Sequence, residues 1–191
     1  MSETLLAAQG LVAGWEQPVA GPLDFALQAG EIVGLVGPNG VGKSTLLAAL
    51  VGNARIFQGR IERRPGVRLS LQSQHLPPLA GLPLSGRELL ALTGASAVGL
   101  PDWLADCLER RLDRLSGGQR QYLALWAVLQ APAEVVLLDE PSNNLDQAGT
   151  AHLAGALRAR AAAGAGLLLV SHDPELVAAV CDRRVMLGER A

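Results

Sequence analysis

Short apolar runs near the N-terminus of the chain predict strands. Residues 4–13 and 22–33 contain apolar stretches that Gly and Pro interrupt, a pattern typical of strands joined by turns. Residues 56–72 predict further strands, with turns at Gln58-Gly59 and Pro65-Gly66. We therefore expect an antiparallel β part at the N-terminal end of the chain.

The remainder of the chain alternates between apolar strands and helices. Continuous apolar runs predict buried strands at Ile32–Val36, Glu134–Leu138 and Leu167–Val170, as in a parallel sheet covered on both faces. The other predicted elements are four helices and a last strand: Ser44–Leu50, Gly117–Gln130, Asp146–Ala163, Pro174–Val180 and the strand Val185–Leu187. This alternation predicts an α/β fold with a mostly parallel core sheet flanked by helices.

One stretch, residues 76–115, differs in composition from its surroundings. It is rich in Leu, Pro and Gly and then carries short helical segments such as Pro101–Arg111. A length of 191 residues fits one domain. We therefore predict a single domain in which residues 1–75 and 116–191 form the core, and residues 76–115 form an inserted, mostly helical subdomain.

Composition narrows the classes of partner. The chain is 49% hydrophobic and 18% charged, with a net charge of −2 and a pI near 5.9. This balance gives no general electrostatic attraction to nucleic acid, so we expect no nucleic-acid partner. Cys107 and Cys181 lie outside any C-x-x-C pattern, which favours two free thiols in a reducing cytosol. No apolar run approaches the roughly 20 residues of a membrane helix, and we expect a soluble or peripheral protein.

The sole lysine of the chain, Lys43, lies in a glycine-rich loop between a predicted strand and a predicted helix. This segment fits the phosphate-binding pattern G-x-x-x-x-G-K-[ST] at every position: Gly37, Pro38, Asn39, Gly40, Val41, Gly42, Lys43, Ser44 and Thr45. Glycines let backbone N–H groups face phosphate oxygens, and the helix N-terminus adds a positive dipole end. We predict that Lys43 reaches the β- and γ-phosphates, that Ser44 ligates Mg²⁺, and that Thr45 is a further contact.

Two acids follow the apolar run that ends at Leu138. In open α/β sheets ligands bind at the carboxyl ends of the strands, where Asp139 and Glu140 are expected to lie. We predict that Asp139 holds Mg²⁺, directly or through water. Glu140 is the candidate that orients or deprotonates the attacking water.

A second anion-binding helix start is predicted at Leu115-Ser116-Gly117-Gly118-Gln119. Ser116 can cap the helix that follows, and the two glycines leave its first N–H groups accessible. Since the phosphate loop already supplies one such site, a second site requires an explanation.

Together these segments resemble the ATP-binding cassette (ABC) ATPases, a family with the P-loop NTPase fold, and the resemblance covers essentially the whole chain. The segment Leu115–Gln119 is similar to the family's signature motif. In that family two nucleotide domains associate head to tail, and the signature of one closes on the ATP held by the other. The resemblance implies ATP and Mg²⁺ as cofactors, ATP hydrolysis as the activity, and a second nucleotide-binding domain as partner, expected to be a second copy of the chain.

The resemblance also implies roles for residues outside these motifs. His172, in Ser171-His172-Asp173, is similar to the switch histidine that contacts the γ-phosphate. Asp146 matches the acid of the loop that crosses the dimer interface, which here carries the unusual pair Asn143-Asn144. Trp15 lies where the family places an aromatic residue against adenine, although a core tryptophan is the alternative.

The family's switch glutamine, which senses Mg²⁺ and the attacking water, has two candidates. We favour Gln74, which lies 31 positions after Lys43, and Gln72 remains the alternative. There are also departures from the family pattern. Tyr122 and Trp126 stand where Arg and a small residue are more frequent, and Ala127 replaces a frequent Arg.

Two functional classes fit these features. The first is the ATPase subunit of a membrane transporter, bound to a separate integral-membrane permease at the cytoplasmic face of the cell membrane. The second is a soluble mechanochemical ATPase acting on a nucleic-acid or protein assembly. We favour the transporter, because the apolar segment Leu76–Leu92 suits a groove that receives a permease helix. The spacing to the switch glutamine, followed by Leu82-Pro83-Leu84, is similar to zinc and manganese importers. Pro77-Pro78 is similar instead to vitamin B12 and siderophore importers. We favour metal-ion uptake, although the sequence leaves the substrate and the direction of transport open.

Overall fold

The computed structural model describes residues 3–73 and 83–188, and within these ranges it contains two β-sheets with helices packed around them. The smaller sheet is antiparallel, with the strand order β2-β1-β4. Its strands are β1 (Thr4–Gly14), β2 (Pro18–Gln28) and β4 (Arg55–Arg63). The predicted antiparallel β part is therefore confirmed.

The larger sheet is parallel, with the strand order β5-β6-β7-β3-β8. Its strands are β3 (Ile32–Val36), β5 (Leu69–Gln72), β6 (Val135–Asp139), β7 (Gly166–Val170) and β8 (Arg183–Met186). Every residue of β6 and β7 is buried, as the continuous apolar runs predicted. The α/β prediction is confirmed.

Six α-helices and one 3-10 turn accompany the sheets in the described ranges. They are α1 (Lys43–Leu50), α2 (Gly86–Thr93), α3 (Asp102–Ala105), α4 (Gly117–Leu129), α5 (Gln147–Ala162) and α6 (Pro174–Val180), with the 3-10 turn at Leu112–Arg114. None of these helices is long and apolar enough to cross a bilayer. Local signals fix several helix starts: the Ser85 hydroxyl and the Glu88 carboxylate form a reciprocal capping box at α2, and Asp173 caps α6 ahead of Pro174.

The structure corrects two boundaries predicted near the N-terminus. The apolar range 22–33 covers parts of two strands, because β2 ends at Gln28 and β3 begins at Ile32 in the other sheet. The predicted turn at Gln58-Gly59 is wrong, since β4 continues through it, opposite an irregularity of β1 between Gln9 and Val12. Gly59 has φ 77°, and an added Cβ would lie 2.3 Å from the Gln9 carbonyl oxygen, which explains the glycine. The turn at Pro65-Gly66 is confirmed.

Two buried apolar clusters lie on opposite faces of the parallel sheet. One packs Leu35 and Leu137 against α1 and the antiparallel sheet. The other packs Val136 and Leu169 against α4, α5, α6 and the short helices. A buried aliphatic side chain stabilises the fold by about 1.5–3 kcal/mol, so these two layers fix the sheet between its helices. Because β3, β6 and β7 run parallel, their carboxyl ends meet at one edge of the sheet.

The short helices α2 and α3 lie within the range predicted to form the helical subdomain. The predicted boundaries at residues 75/76 and 115/116 stay a prediction. The first of them falls on residues 74–82, which lie outside the described residues.

Candidate functional site

The loop between β3 and α1 folds around its lysine. The Lys43 ammonium donates to the carbonyl oxygens of Gly37 and Pro38, at 2.9 and 2.8 Å. Gly42, with φ 95°, precedes the first helical residue, and a Cβ there would lie 2.4 Å from the Cβ of Ala20 in β2. The glycine therefore serves both the left-handed turn and the close approach of the antiparallel sheet to the loop.

The two acids at the end of β6 face different surroundings. Asp139 is buried, at 3% exposure, and pairs in register with Val170 of β7. Glu140 leaves the strand with φ 53°, and its backbone N–H donates to the Val170 carbonyl at 2.8 Å. A non-glycine residue in this left-handed region is uncommon and is often found at functional sites. Asp139 is thus the last residue of β6, and Glu140 begins the turn that follows it.

The carboxylate of Glu140 contacts His172, which follows β7. Glu140 Oε2 accepts from the His172 backbone N–H at 3.1 Å and lies 2.7 Å from His172 Nδ1. Only 11% of the Glu140 side chain is exposed, whereas 65% of the His172 side chain is exposed. The carboxylate is thus held in place, and the imidazole reaches into open space.

One cleft of about 540 Å³ brings most of the predicted catalytic residues together. It is lined by residues of the phosphate loop and of the ends of β6 and β7: Asn39, Gly40, Gly42, Lys43, Ser44, Thr45, Asp139, Glu140, Val170 and His172, with Val19 and Asn143. Sequence reasoning noted Asn143 only as part of an unusual pair and missed Val19 altogether. An apolar residue in a hairpin strand gives no sequence signal of a site.

The oxygen donors in this cleft fit a magnesium ion. An exposed serine hydroxyl, Ser44, and a buried carboxylate, Asp139, line the same space. Mg²⁺ prefers hard oxygen ligands and is usually bound by one or two protein groups together with substrate phosphates. No group of three or more His, Cys, Asp or Glu residues placed to hold a metal occurs among the residues that the structure describes.

A second groove, of about 400 Å³, contains the other predicted anion site. Ser116 caps α4, because its hydroxyl accepts from the Gln119 N–H at 3.2 Å while Gln119 Oε1 accepts from the Ser116 N–H at 3.0 Å. A Cβ added at Gly117 or Gly118 would meet no atom within 4 Å. The first turn of α4 therefore presents accessible backbone N–H groups, as predicted.

Asp146 lines this second groove with Asn144 and Trp103. The Asp146 carboxylate accepts from the Gly149 N–H at 2.7 Å and so caps α5. Among the described residues, the two concavities share no lining residue. Trp103 was not predicted; it lies in the helical segment and is 46% exposed, which its sequence context did not indicate.

The cleft lining does not include three residues of the phosphate loop, Gly37, Pro38 and Val41.

Three further sequence candidates lie outside the phosphate loop. Trp15 is 56% exposed in the turn between β1 and β2, which contradicts the core-tryptophan alternative, but it is not among the cleft-lining residues. Gln74 lies outside the described residues. Gln72 ends β5 beside Leu138 of β6 and is buried at 5% exposure. The choice between Gln72 and Gln74 stays a prediction.

The departures at Tyr122 and Trp126 belong to one aromatic cluster. The Tyr122 hydroxyl lies 2.6 Å from His152 Nδ1, and the ring centroids of Tyr122 and Trp103 are 5.2 Å apart, edge to face. The Trp126 indole N–H donates to the Ser96 carbonyl at 2.9 Å. Burial raises the pKa of Tyr122 to about 12, so its hydroxyl stays protonated. The cluster joins α4 to α5 and to the short helical segments.

Comparison with known proteins agrees with this architecture. The family model described as ABC transporter matches residues 20–143. The zinc import ATP-binding protein ZnuC of Alkalilimnicola ehrlichii is 37% identical over 194 residues, which cover 97% of this chain and 75% of that protein. The protein of the same name in Cereibacter sphaeroides is 39% identical over 197 residues, covering 97% and 79%.

Solved structures share the fold. The ATP-binding subunit of an ABC transporter gives a TM-score of 0.82 at 25% identity, over 98% of this chain and 88% of that chain. A structure described as an ABC transporter of the metal-chelate type in an inward-facing conformation gives 0.78 at 26% identity, over 97% and 79%. The chain belongs to the ATP-binding subunits of the ABC transporter family, and it is an ATPase.

Proposed function

We propose that this chain binds and hydrolyses ATP to energise a separate permease that imports a divalent metal ion, with zinc as the first candidate. One observation carries the proposal: a single cleft collects the phosphate-loop lysine, an acid pair and a histidine, in a chain whose relatives are zinc import ATP-binding proteins. The permease places the chain at the cytoplasmic face of the membrane.

The phosphate loop holds the triphosphate. Lys43, whose ammonium has only carbonyl oxygens as hydrogen-bond partners among the described residues, turns to the β- and γ-phosphates. Ser44 and Asp139 would hold Mg²⁺, with Gln74 as the further candidate ligand, and the bound ion would supply positive charge next to the phosphates.

Glu140 and His172 prepare the attacking water. The Glu140 carboxylate accepts the hydrogen on His172 Nδ1, which fixes the ring tautomer and leaves Nε2 for the γ-phosphate or the water. Both contacts with His172 use Oε2, and Glu140 Oε1 has no hydrogen-bond partner among the described residues, so it can accept a hydrogen bond from water. The pair then positions the nucleophile for in-line attack.

Two copies of the chain complete each site. The cleft with Lys43 and the groove with Gly118 are separate concavities, and each presents groups that bind anions. A head-to-tail homodimer would place the groove of one subunit over the ATP in the cleft of the other. ATP then acts as the contact that closes the dimer, and its hydrolysis opens it. Trp15 is the candidate that stacks on adenine.

The imported metal ion is the transported substrate and passes through the permease. Among the described residues, no group of three or more His, Cys, Asp or Glu side chains is placed to hold a metal ion, so none is assigned to the imported ion. Substrate choice therefore resides in the permease and in any binding protein that delivers the ion.

Affinity purification of the tagged Glu140→Gln variant from gently solubilised cells tests this proposal. We expect a polytopic membrane protein to co-purify with it, and radioactive zinc uptake to fail in cells that carry Lys43→Ala. The surface variant Arg60→Ala serves as the control for both readouts. Co-purification of ribosomes or of soluble assemblies only, together with normal metal uptake, would support the soluble mechanochemical class instead.

A further inference from the structure

The asparagine pair Asn143-Asn144 lies between the two concavities of the subunit. Asn143 lines the cleft that contains Lys43, whereas Asn144 lines the groove that contains Gly118. Two adjacent residues therefore belong to two different sites. A displacement of this pair would change the lining of both concavities.

Glu140 begins the turn that carries the pair. The Asn143 backbone N–H donates to the Glu140 carbonyl at 3.2 Å. Asn144 adopts a left-handed conformation with φ 62°, which Asn tolerates better than most residues. The position of Asn143 is consequently linked, through one short turn, to the backbone of the candidate catalytic base.

Gln121 of α4 holds both asparagines. Its amide nitrogen Nε2 donates to the Asn143 carbonyl at 2.8 Å, and its Oε1 accepts from the Asn144 amide at 3.2 Å. Both polar atoms of one side chain are thus committed to the same turn. Gln121 lies two positions after Gln119, in the first turns of the helix whose N-terminus forms the second anion site.

We propose that Gln121 is a positioning residue that couples the signature helix α4 to the asparagine pair and, through it, to Glu140. When the N-terminus of α4 meets the nucleotide held by the partner subunit, Gln121 transmits the resulting shift to the turn of its own subunit. This inference rests on the proposed two-subunit mechanism. It assigns a task to a glutamine that is not among the lining residues of either concavity.

Three variants isolate the contact. Gln121→Leu removes both hydrogen bonds at similar side-chain volume. Gln121→Glu keeps the acceptor for Asn144 but places a carboxylate against the Asn143 carbonyl. Asn144→Gly removes the amide and keeps the left-handed backbone, which glycine adopts readily. The control is Gln130→Leu at the C-terminal end of the same helix, since Gln130 makes no side-chain hydrogen bond within the described residues.

The experiment measures kcat, KM for ATP and the melting temperature of each full-length variant. We expect the kcat of Gln121→Leu and of Gln121→Glu to fall about tenfold, because one or two hydrogen bonds that hold the asparagine pair are lost. The KM for ATP should stay within about twofold of the wild-type value. Gln130→Leu should retain wild-type kcat. The kcat of the double variant Gln121→Leu/Asn144→Gly should lie within about twofold of the kcat of the slower single variant, because the two changes break the same contact.

Several results would overturn the inference. These are a wild-type kcat for Gln121→Leu, a loss confined to KM, an equal loss in Gln130→Leu, or single-variant losses that multiply in the double variant. If Glu140→Gln also hydrolyses ATP at the wild-type rate, the proposed function itself fails. If Glu140→Gln is inactive while Gln121→Leu is fully active, only the coupling role of Gln121 is wrong.

Discussion

Glu140 Oε2 lies 2.7 Å from His172 Nδ1, and the same oxygen accepts the His172 backbone N–H. The contact joins the residue after β6 to the second residue after β7, so the register of two neighbouring strands sets it. A buried carboxylate that orients an exposed imidazole is a common arrangement for fixing which ring nitrogen carries hydrogen. The histidine therefore depends on Glu140 for its orientation.

Removing the imidazole should affect catalysis more than binding. We expect His172→Ala to lower kcat by about 100-fold, which is within the range for a positioned proton-transfer or orienting group, with little change in ATP affinity. Steady-state ATPase assays combined with calorimetric titration of ATP check this. Glu175→Gln, an exposed position on α6, is the control. A raised KM at unchanged kcat would contradict the assigned role.

Replacing the single lysine should remove most of the nucleotide affinity. We expect Lys43→Ala to weaken ATP binding by about 100-fold, because charge-assisted hydrogen bonds to phosphate are lost. Lys43→Arg should not restore it, since a planar guanidinium does not fit a loop curled around a compact ammonium. Calorimetry with ATP measures both variants, and Arg60→Ala removes an exposed positive charge elsewhere as the control. Wild-type affinity in Lys43→Ala would overturn the phosphate-loop assignment.

A carboxylate introduced at the start of α4 should preserve folding but prevent ATP-driven dimerisation. A Cβ added at Gly118 meets no atom within 4 Å, and an acid at a helix N-terminus stabilises the helix by about 0.3–1 kcal/mol. Gly118→Asp should therefore melt no lower than wild type, while repulsion of the partner's ATP abolishes ATP-driven dimerisation. Gly155→Asp, at an exposed position in α5 that is also free of contacts, should dimerise normally. Wild-type dimerisation of Gly118→Asp would argue against the head-to-tail arrangement.

The aromatic cluster should contribute to stability. Tyr122→Phe deletes the hydroxyl that is hydrogen-bonded to His152 Nδ1 and should reduce the free energy of unfolding by about 1 kcal/mol. Tyr122→Arg, which introduces the residue more frequent in the family, should cost more than about 3 kcal/mol because an unpaired charge would be buried here. Urea denaturation measures both. A Tyr122→Arg variant as stable as wild type would show that the cluster does not stabilise the fold.

The sequence predicted which segments meet at the cleft, for a local reason. The phosphate loop and the acid pair are each continuous segments that follow a buried strand, so strand order alone brings Lys43 and Asp139 to one edge of the sheet. The predicted helix and strand ranges were correct to within a few residues wherever apolar runs were uninterrupted, as for β6 and β7.

Other features were not predictable from local patterns. Gly59 gives the same sequence signal inside an irregular strand pair as in a turn, because glycine supplies a positive φ in both, and only the pairing with β1 distinguishes them. The bonds from Gln121 to the asparagine pair join residues 22 and 23 positions apart. They exist because α4 packs beside the end of β6, which no periodicity reveals.

The ATP-dependent association of Glu140→Gln is the most direct test of the central claim. The variant should bind ATP with affinity close to wild type, fail to hydrolyse it, and elute as a dimer with Mg-ATP and as a monomer without nucleotide, by size-exclusion chromatography with light scattering. Adding Lys43→Ala to it should abolish the dimer. If Glu140→Gln turns over ATP at the wild-type rate, or remains a monomer at saturating ATP, the assigned base and the ATP-closed dimer are contradicted.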